Sequence, residues 1–259
     1  MASGSDNISQ RYETKINYKI ISMMVAFAIA YYVYGILNHD YVIKYFTILD
    51  IPFVTLPFGV GISGIIVARR YWKTEIFGKA YLSLGISFIL WATGSVLYEY
   101  FTDFVGESAY PGFPDIFFIA MFFPLYIHLI LNIKPFYKQI KKYAKVSVWI
   151  FAVAIAIIFT YMTLPTNQQY DFTFIVSEIY VINEAVQLAL VILGALVFRS
   201  SMLGNVWVLL VIGFGVYTFA DYWYYAAGTQ YDETHPSNAI WQLSFMILIY
   251  ALYKHKKAI

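Results

Sequence analysis

"FTFIVSEIYVINEAVQLALVILGALV", residues 172–197, is a long apolar run that nonetheless holds Glu178, Asn183, Glu184 and Gln187. A bilayer core of about 30 Å needs roughly 20 apolar residues at about 1.5 Å each. The run therefore predicts one membrane-spanning helix with two carboxyls inside it. Counted from Phe172, Glu178 lies about 9 Å deep and Glu184 about 18 Å, near the midplane. Six residues at about 100° each set the two carboxyls about 120° apart, so they do not share a helix face. Glu184 shares its stripe with Ser177, Tyr180, Asn183 and Gln187, and that stripe is expected to face the interior of a bundle. Glu178 runs with Val181 and Ala185 and is expected to meet a neighbouring helix or an outer vestibule. A carboxyl at this depth costs at least a few kcal/mol unless it faces a cavity or a partner. No Lys or Arg lies at that depth. Three arrangements remain open: protonated carboxyls, carboxyls paired with Tyr98, Tyr224 or Asn183, or carboxyls that hold a cation.

The rest of the chain has the same character. Its 259 residues are 61% hydrophobic and only 12% charged, where a soluble domain carries about 25% charge. Eight apolar runs can be marked, at 17–37, 50–68, 80–99, 113–133, 146–164, 172–198, 205–226 and 237–253. The second is interrupted by Pro52 and Pro57. Ala26-Phe27-Ala28 resembles a signal-peptide cleavage site, but the apolar run continues to Leu37, which favours an uncleaved first span. The fold class expected is an all-α integral membrane protein of eight transmembrane helices, a single membrane domain over 1–259.

Charge sets the expected orientation. Every Lys and Arg except Lys44 falls in the N-terminal tail (Arg11, Lys15, Lys19), the 69–79 connection, the 134–145 connection, at Arg199, or in the tail at Lys254, Lys256 and Lys257. Under the positive-inside rule both termini are cytoplasmic; no other targeting signal is read in the sequence, and the plasma membrane is the expected location. The tyrosines and tryptophans at the opposite helix ends, such as Tyr98, Tyr100, Tyr110, Tyr222, Trp223, Tyr224, Tyr225 and Tyr231, read mostly as an interfacial aromatic belt.

Two stretches resemble each other at an offset of 124 to 126 residues. One runs from Ile89 through Gly94, Ser95 and Tyr98 to Pro111, Pro114 and an aromatic helix; the other runs from Gly215 through Ala220, Asp221 and Tyr224 to Pro236 and its helix. The offset places the third span over the seventh and the fourth over the eighth. This predicts a parallel four-plus-four repeat, with units 1–133 and 134–259 and a site at their interface.

"FPDIFFIAMFFPLYIHL", Phe113–Leu129, resembles the P-S-x-A-D-x-x-Y-L … Y-P-L signature of an uncharacterised prokaryotic multi-span sensory domain. That domain is often found ahead of diguanylate cyclase or histidine kinase outputs. Its Asp-x-x-Tyr step is matched by Asp221 and Tyr224. Pro114 stands where the family has Ala, and Pro124 falls one residue late. No output domain is expected after Ile259. The resemblance implies a membrane sensory module that signals to a separate partner, in a prokaryote.

Several chemistries find no support. The chain has no cysteine, hence no disulfide or thiolate chemistry. "GVGISG", residues 59–64, fits a dinucleotide fingerprint in letters only; it lies in a membrane span, where Gly59 and Ser63 read as small residues that permit close helix approach. No Lys lies within a span to hold retinal, and His128 is the only intramembrane histidine, too few for a bis-histidine haem or a di-iron site. His235 with Asp232 and Glu233 reads as a solvated loop, with weak divalent-cation binding as the alternative. No catalytic constellation, metal site or cofactor is expected, and a net charge of +2 argues against nucleic acid.

What remains is a polar set in one leaflet. The candidate ligand-binding residues are Glu184, Glu178, Asp221, Glu99, Asp115, Asn183, Gln187, Tyr98, Tyr224, Asn238 and Gln242. They point to a receptor-like or sensory protein in the lipid bilayer. It has an outward-facing acidic pocket for a small cationic or hydrogen-bonding ligand, and a cytoplasmic or membrane protein partner. A proton- or cation-coupled transporter using Glu184 and Asp221, and an accessory subunit of a membrane complex, are the alternatives.

Overall fold

The computed structural model describes residues 15–45, 47–74, 76–106, 110–164 and 171–257. Arg11, part of the basic tail used to predict orientation, lies outside them. Among the described residues the chain is all helical: α1 (Tyr18–Leu37), α2 (His39–Val42), α3 (Asp50–Arg70), α4 (Phe77–Glu99), α5 (Phe113–Ala120), α6 (Phe122–Ile133), α7 (Lys142–Thr163), α8 (Phe172–Phe198), α9 (Gly204–Ala227) and α10 (Pro236–Lys257).

Seven segments are long and apolar enough to cross a membrane, with α5 and α6 counted as one, and they fit a multi-pass membrane protein. The eighth predicted run folds as α10, whose 22 residues match the others in length. Ser237, Asn238, Gln242, Ser244 and the terminal lysines leave it less apolar, so it falls short of the hydropathy of the seven.

Proline acts differently at its two helical sites. Pro52 sits in the first turn of α3, where its missing N–H costs nothing, and Pro57 is accommodated inside the helix. Pro124 has no N–H to give the carbonyl four residues back. There the predicted 113–133 helix divides at Met121, whose carbonyl accepts the Ser87 hydroxyl at 2.9 Å.

Small residues set the closest approach. A Cβ at Gly64 would lie 3.0 Å from the Gly85 nitrogen, and one at Gly85 would lie 2.9 Å from the Gly61 carbonyl oxygen, so α3 and α4 run nearly backbone to backbone. Gly59 instead faces Ile249 of α10. "GVGISG" is thus a packing surface, as expected, but its close partners are Gly61, Gly64 and Gly85 rather than Gly59 and Ser63.

The helices interlock around a centre filled by rings. α3 packs on α4 and α10, α4 on α5 and α6, α8 on α6, α7 and α9, and α9 on α10. α4 and α9 meet through side chains: Trp91 Nε1 donates to the Tyr217 hydroxyl at 2.8 Å, and the Phe88 and Phe214 rings lie 6.1 Å apart. α1 and α7 flank the bundle with mostly exposed apolar side chains.

The two ends differ chemically. Ile43, Lys44, Asp103, Tyr110, Thr173, Asp232 and Glu233 surround one depression, which brings the acidic connections together. At the opposite, basic end, His255 bonds the hydroxyls of Tyr81 (3.3 Å) and Tyr71 (3.1 Å), and Asn17 N–H donates to Tyr250 (2.8 Å).

Candidate functional site

At the acidic end the sequence of α9 turns Tyr217, Asp221, Tyr224 and Tyr225 onto one face, three or four residues apart, and that face meets α4, α8 and α10. Between them lies a cavity of about 60 Å³. Eleven of its thirteen lining residues are aromatic; the other two are Asp115 and Asp221, and no Lys, Arg or His is among them. Tyr98, Tyr110, Tyr224, Tyr225 and Tyr231 are shared with a wider vestibule of about 660 Å³, so these five phenols form the mouth. Trp91, Tyr217, Trp241, Phe53, Phe118 and Tyr180 lie deeper. The rings hold one another: Tyr224 stands 4.6 Å from Tyr231, edge on, and 5.6 Å from Trp241, and Trp91 stands 5.2 Å from Phe118.

The two aspartates are held by donors. Gly112 leaves the chain extended just before α5, and its N–H donates to Asp115 at 2.7 Å. This caps the helix and places a carboxylate at its positive end. The other Asp115 oxygen accepts the Tyr180 hydroxyl at 2.6 Å. Asp221 accepts from Trp241 Nε1 and from the Tyr217 hydroxyl. On the side away from the cavity it meets Glu184 of α8. Glu184 is wholly buried, and neither of its oxygens receives an N–H or O–H among the described residues. Its one polar contact there is the Asp221 carboxyl. Gln187, one turn further along α8, and Thr218, one turn along α9, are also buried with no partner of their own among the described residues.

The other candidates divide into two groups. Tyr98, Tyr224, Asp115 and Asp221 line the cavity, and Glu184 backs Asp221. Glu178 accepts the hydroxyls of Thr160 (2.6 Å) and Thr163 (3.2 Å), so it bonds α7 to α8 away from the cavity. Asn183 is half-buried at the edge of its stripe and accepts the Tyr126 hydroxyl at 2.7 Å. Glu99 is buried beside Asp103. Asn238 ties the 228–235 loop, accepting from Tyr231 (3.0 Å) and donating to the Glu233 carbonyl (2.9 Å). Gln242 is buried against Tyr31 of α1.

The aromatic belt gives way to a cage for most of its members. Trp223 and Tyr100 are exposed, but Tyr222 is buried and donates to the Val181 carbonyl at 3.1 Å, and the other five outer tyrosines form the mouth. Trp91, Tyr217 and Trp241 were missed as site residues because a ring in an apolar helix carries no mark of the cavity it faces. Their spacing from Ser95, Asp221 and Asn238 was the available signal.

The vestibule rim lies beyond the helices. Burial, then the nearby Asp50, Asp103 and Asp232 charges, push the half-buried Glu233 up to about 8. Hydrogen bonds donated to Asp232 and Asp40 hold the exposed His39 ring above its usual range. Burial raises Asp232, but hydrogen bonds from Thr234 and His39 outweigh it and leave the carboxyl low. His39 and Asp232 stand 3.3 Å apart and clasp the short helix α2 to the loop after α9.

The chain matches no family model, no curated protein and no solved structure.

Proposed function

We propose that the chain is a receptor-like sensory membrane protein that admits a small organic cation to the aromatic cavity and signals to a separate protein. The observation that carries this is the lining: eleven rings, two aspartates and no basic side chain. Ring faces attract a cation, most strongly where water is excluded. A low-dielectric cleft with an excess of one sign also concentrates cations at its mouth, and Asp103 and Asp232 outnumber Lys44 in the vestibule.

The architecture of this reading is eight spans, with α10 as the last, both termini cytoplasmic and the cavity open to the outside. Supporting it, the lysines and arginines cluster at the end opposite the cavity. The four-plus-four repeat is supported by position. Trp91 meets Tyr217 and Phe88 meets Phe214, each 126 residues apart, as equivalent residues beside a two-fold axis do. α3 against α10 and α6 against α8 are equivalent contacts too. The first helices break the pattern, since α1 packs on α10 while α7 packs on α8. A helix shift at the cavity would reach the partner through the basic 134–145 segment.

The test is thermal unfolding of purified protein with tetramethylammonium. A ligand at 100 times its Kd adds about 2.7 kcal/mol of stability, so the melting temperature should rise, and Asp221→Asn should abolish the rise. No rise in the wild type overturns the cation reading. A second reading, cation transport coupled to protons, is favoured by the carboxyl pair beneath the cavity. Cation flux in liposomes that Glu184→Gln abolishes would establish it over sensing.

A further inference from the structure

We propose that Glu184 and Asp221 form one proton-binding site behind the cavity, and that a cation in the cavity competes with that proton. This rests on the cation reading above. The geometry carries it. Two buried carboxyls on the packed helices α8 and α9 interact inside the bundle, Glu184 with no N–H or O–H donor among the described residues and Asp221 facing the cavity. Two unit charges about 4 Å apart repel by about 4 kcal/mol at an effective dielectric of about 20. One proton between them replaces that repulsion with a short, charge-assisted hydrogen bond. The proton belongs on Glu184, because Asp221 already has the Trp241 and Tyr217 donors that favour an anion and Glu184 has none.

Among the described residues, no other group around the pair carries a positive charge to neutralise it. α5 presents Asp115, α6 Tyr126, α8 Tyr180 and the more distant Glu178, and α9 Tyr217, Tyr222 and Tyr225. α10 presents Trp241, α4 presents Trp91 and Tyr98, and α7 presents Phe159, stacked on Tyr222 at 3.6 Å. No Lys, Arg or His is in that set.

A cation against Asp221 supplies from the cavity side the positive charge that the proton supplies from the Glu184 side. The charges balance. The pair with its proton carries one negative charge, and two carboxylates with one cation carry the same. The displaced proton leaves by the vestibule. An opposite charge beside an acid weakens its hold on a proton, and linkage makes the effect reciprocal. Cation affinity therefore rises with pH, by up to about tenfold per pH unit for one proton released per cation.

Tetramethylammonium has no proton of its own, which makes it the suitable probe. It should bind the wild type with proton release into weak buffer, more tightly at higher pH, and with loss of the infrared C=O stretch of a buried protonated carboxyl. Glu184→Gln should still bind it, with that stretch absent from the start and the proton release removed. Glu233 and His39 titrate at the rim in both proteins, so the difference between the two pH slopes belongs to Glu184. Binding by the wild type with no proton release and no pH slope overturns the exchange and leaves the cation site standing. No binding by folded wild type at any pH from about 5 to 9 overturns both. Should Glu184→Gln fail to fold, the wild-type proton count and infrared change decide alone.

Discussion

Glu233 is the residue whose environment most plainly sets a pH dependence. Its folded value of about 8 lies above the 4.5 of an ordinary glutamate, so the folded protein binds a proton that the unfolded chain has released. That contribution is fully present below about pH 4.5 and is lost as pH rises through about 8. The raised His39 acts in the same direction, losing its charge and its hold on Asp232 as pH climbs. The melting temperature should fall between about pH 5 and pH 8, and Glu233→Gln should flatten much of that fall; an unchanged slope in the variant would assign it elsewhere. None of this was visible in the letters "DETH", because burial of a loop carboxyl depends on Asp50 and Asp103, which arrive from distant parts of the chain. The opposite holds for Glu184 and Glu178. The 120° between them is a property of one helix, and the structure indeed buries one in the interior and bonds the other to α7. Asn183 shows the limit of that arithmetic: at the stripe's edge it turned to Tyr126 and not to the cavity.

At the scale of elements, glycines decide how close helices come. A Cβ at Gly194 of α8 would lie 2.0 Å from the Trp207 indole of α9, and Trp207 is itself fully buried between His128 and Phe198. Gly194→Ala should cost about 1–3 kcal/mol, since the indole is buried and stacked by His128 and Phe198. A melting temperature equal to wild type would mean that α8 and α9 separate more easily than their packing implies. The ends of the long helices were legible from hydropathy to within a few residues, because a bilayer demands length and apolarity locally. The division at Met121 was less so. Pro57 is carried inside α3, while the helix divides at Met121, three residues before Pro124.

For the whole molecule, orientation is the property on which the cavity's role turns. The chain has no cysteine, so a single one can be introduced and labelled without background. Gln230→Cys, at the cavity end, should react with a membrane-impermeant maleimide on intact cells, whereas Lys141→Cys, at the basic end, should react only after permeabilisation. The reverse pattern would turn the cavity toward the cytoplasm. The arrangement of the basic ends was readable from sequence, because charge placement obeys a simple rule. The cage was not, because the same tyrosines serve equally well at a membrane surface, and only the assembly of α4, α9 and α10 turns them inward.

The tryptophans that wall the cavity have a consequence for its study. Of the six, Trp91 and Trp241 stand in its lining, Trp207 is sealed in the core, and Trp72, Trp149 and Trp223 are exposed at the surface. Two native fluorophores thus line the cavity, and the other four emit from sites away from it. The protein carries an optical gauge of its own occupancy, readable without a dye or a tag.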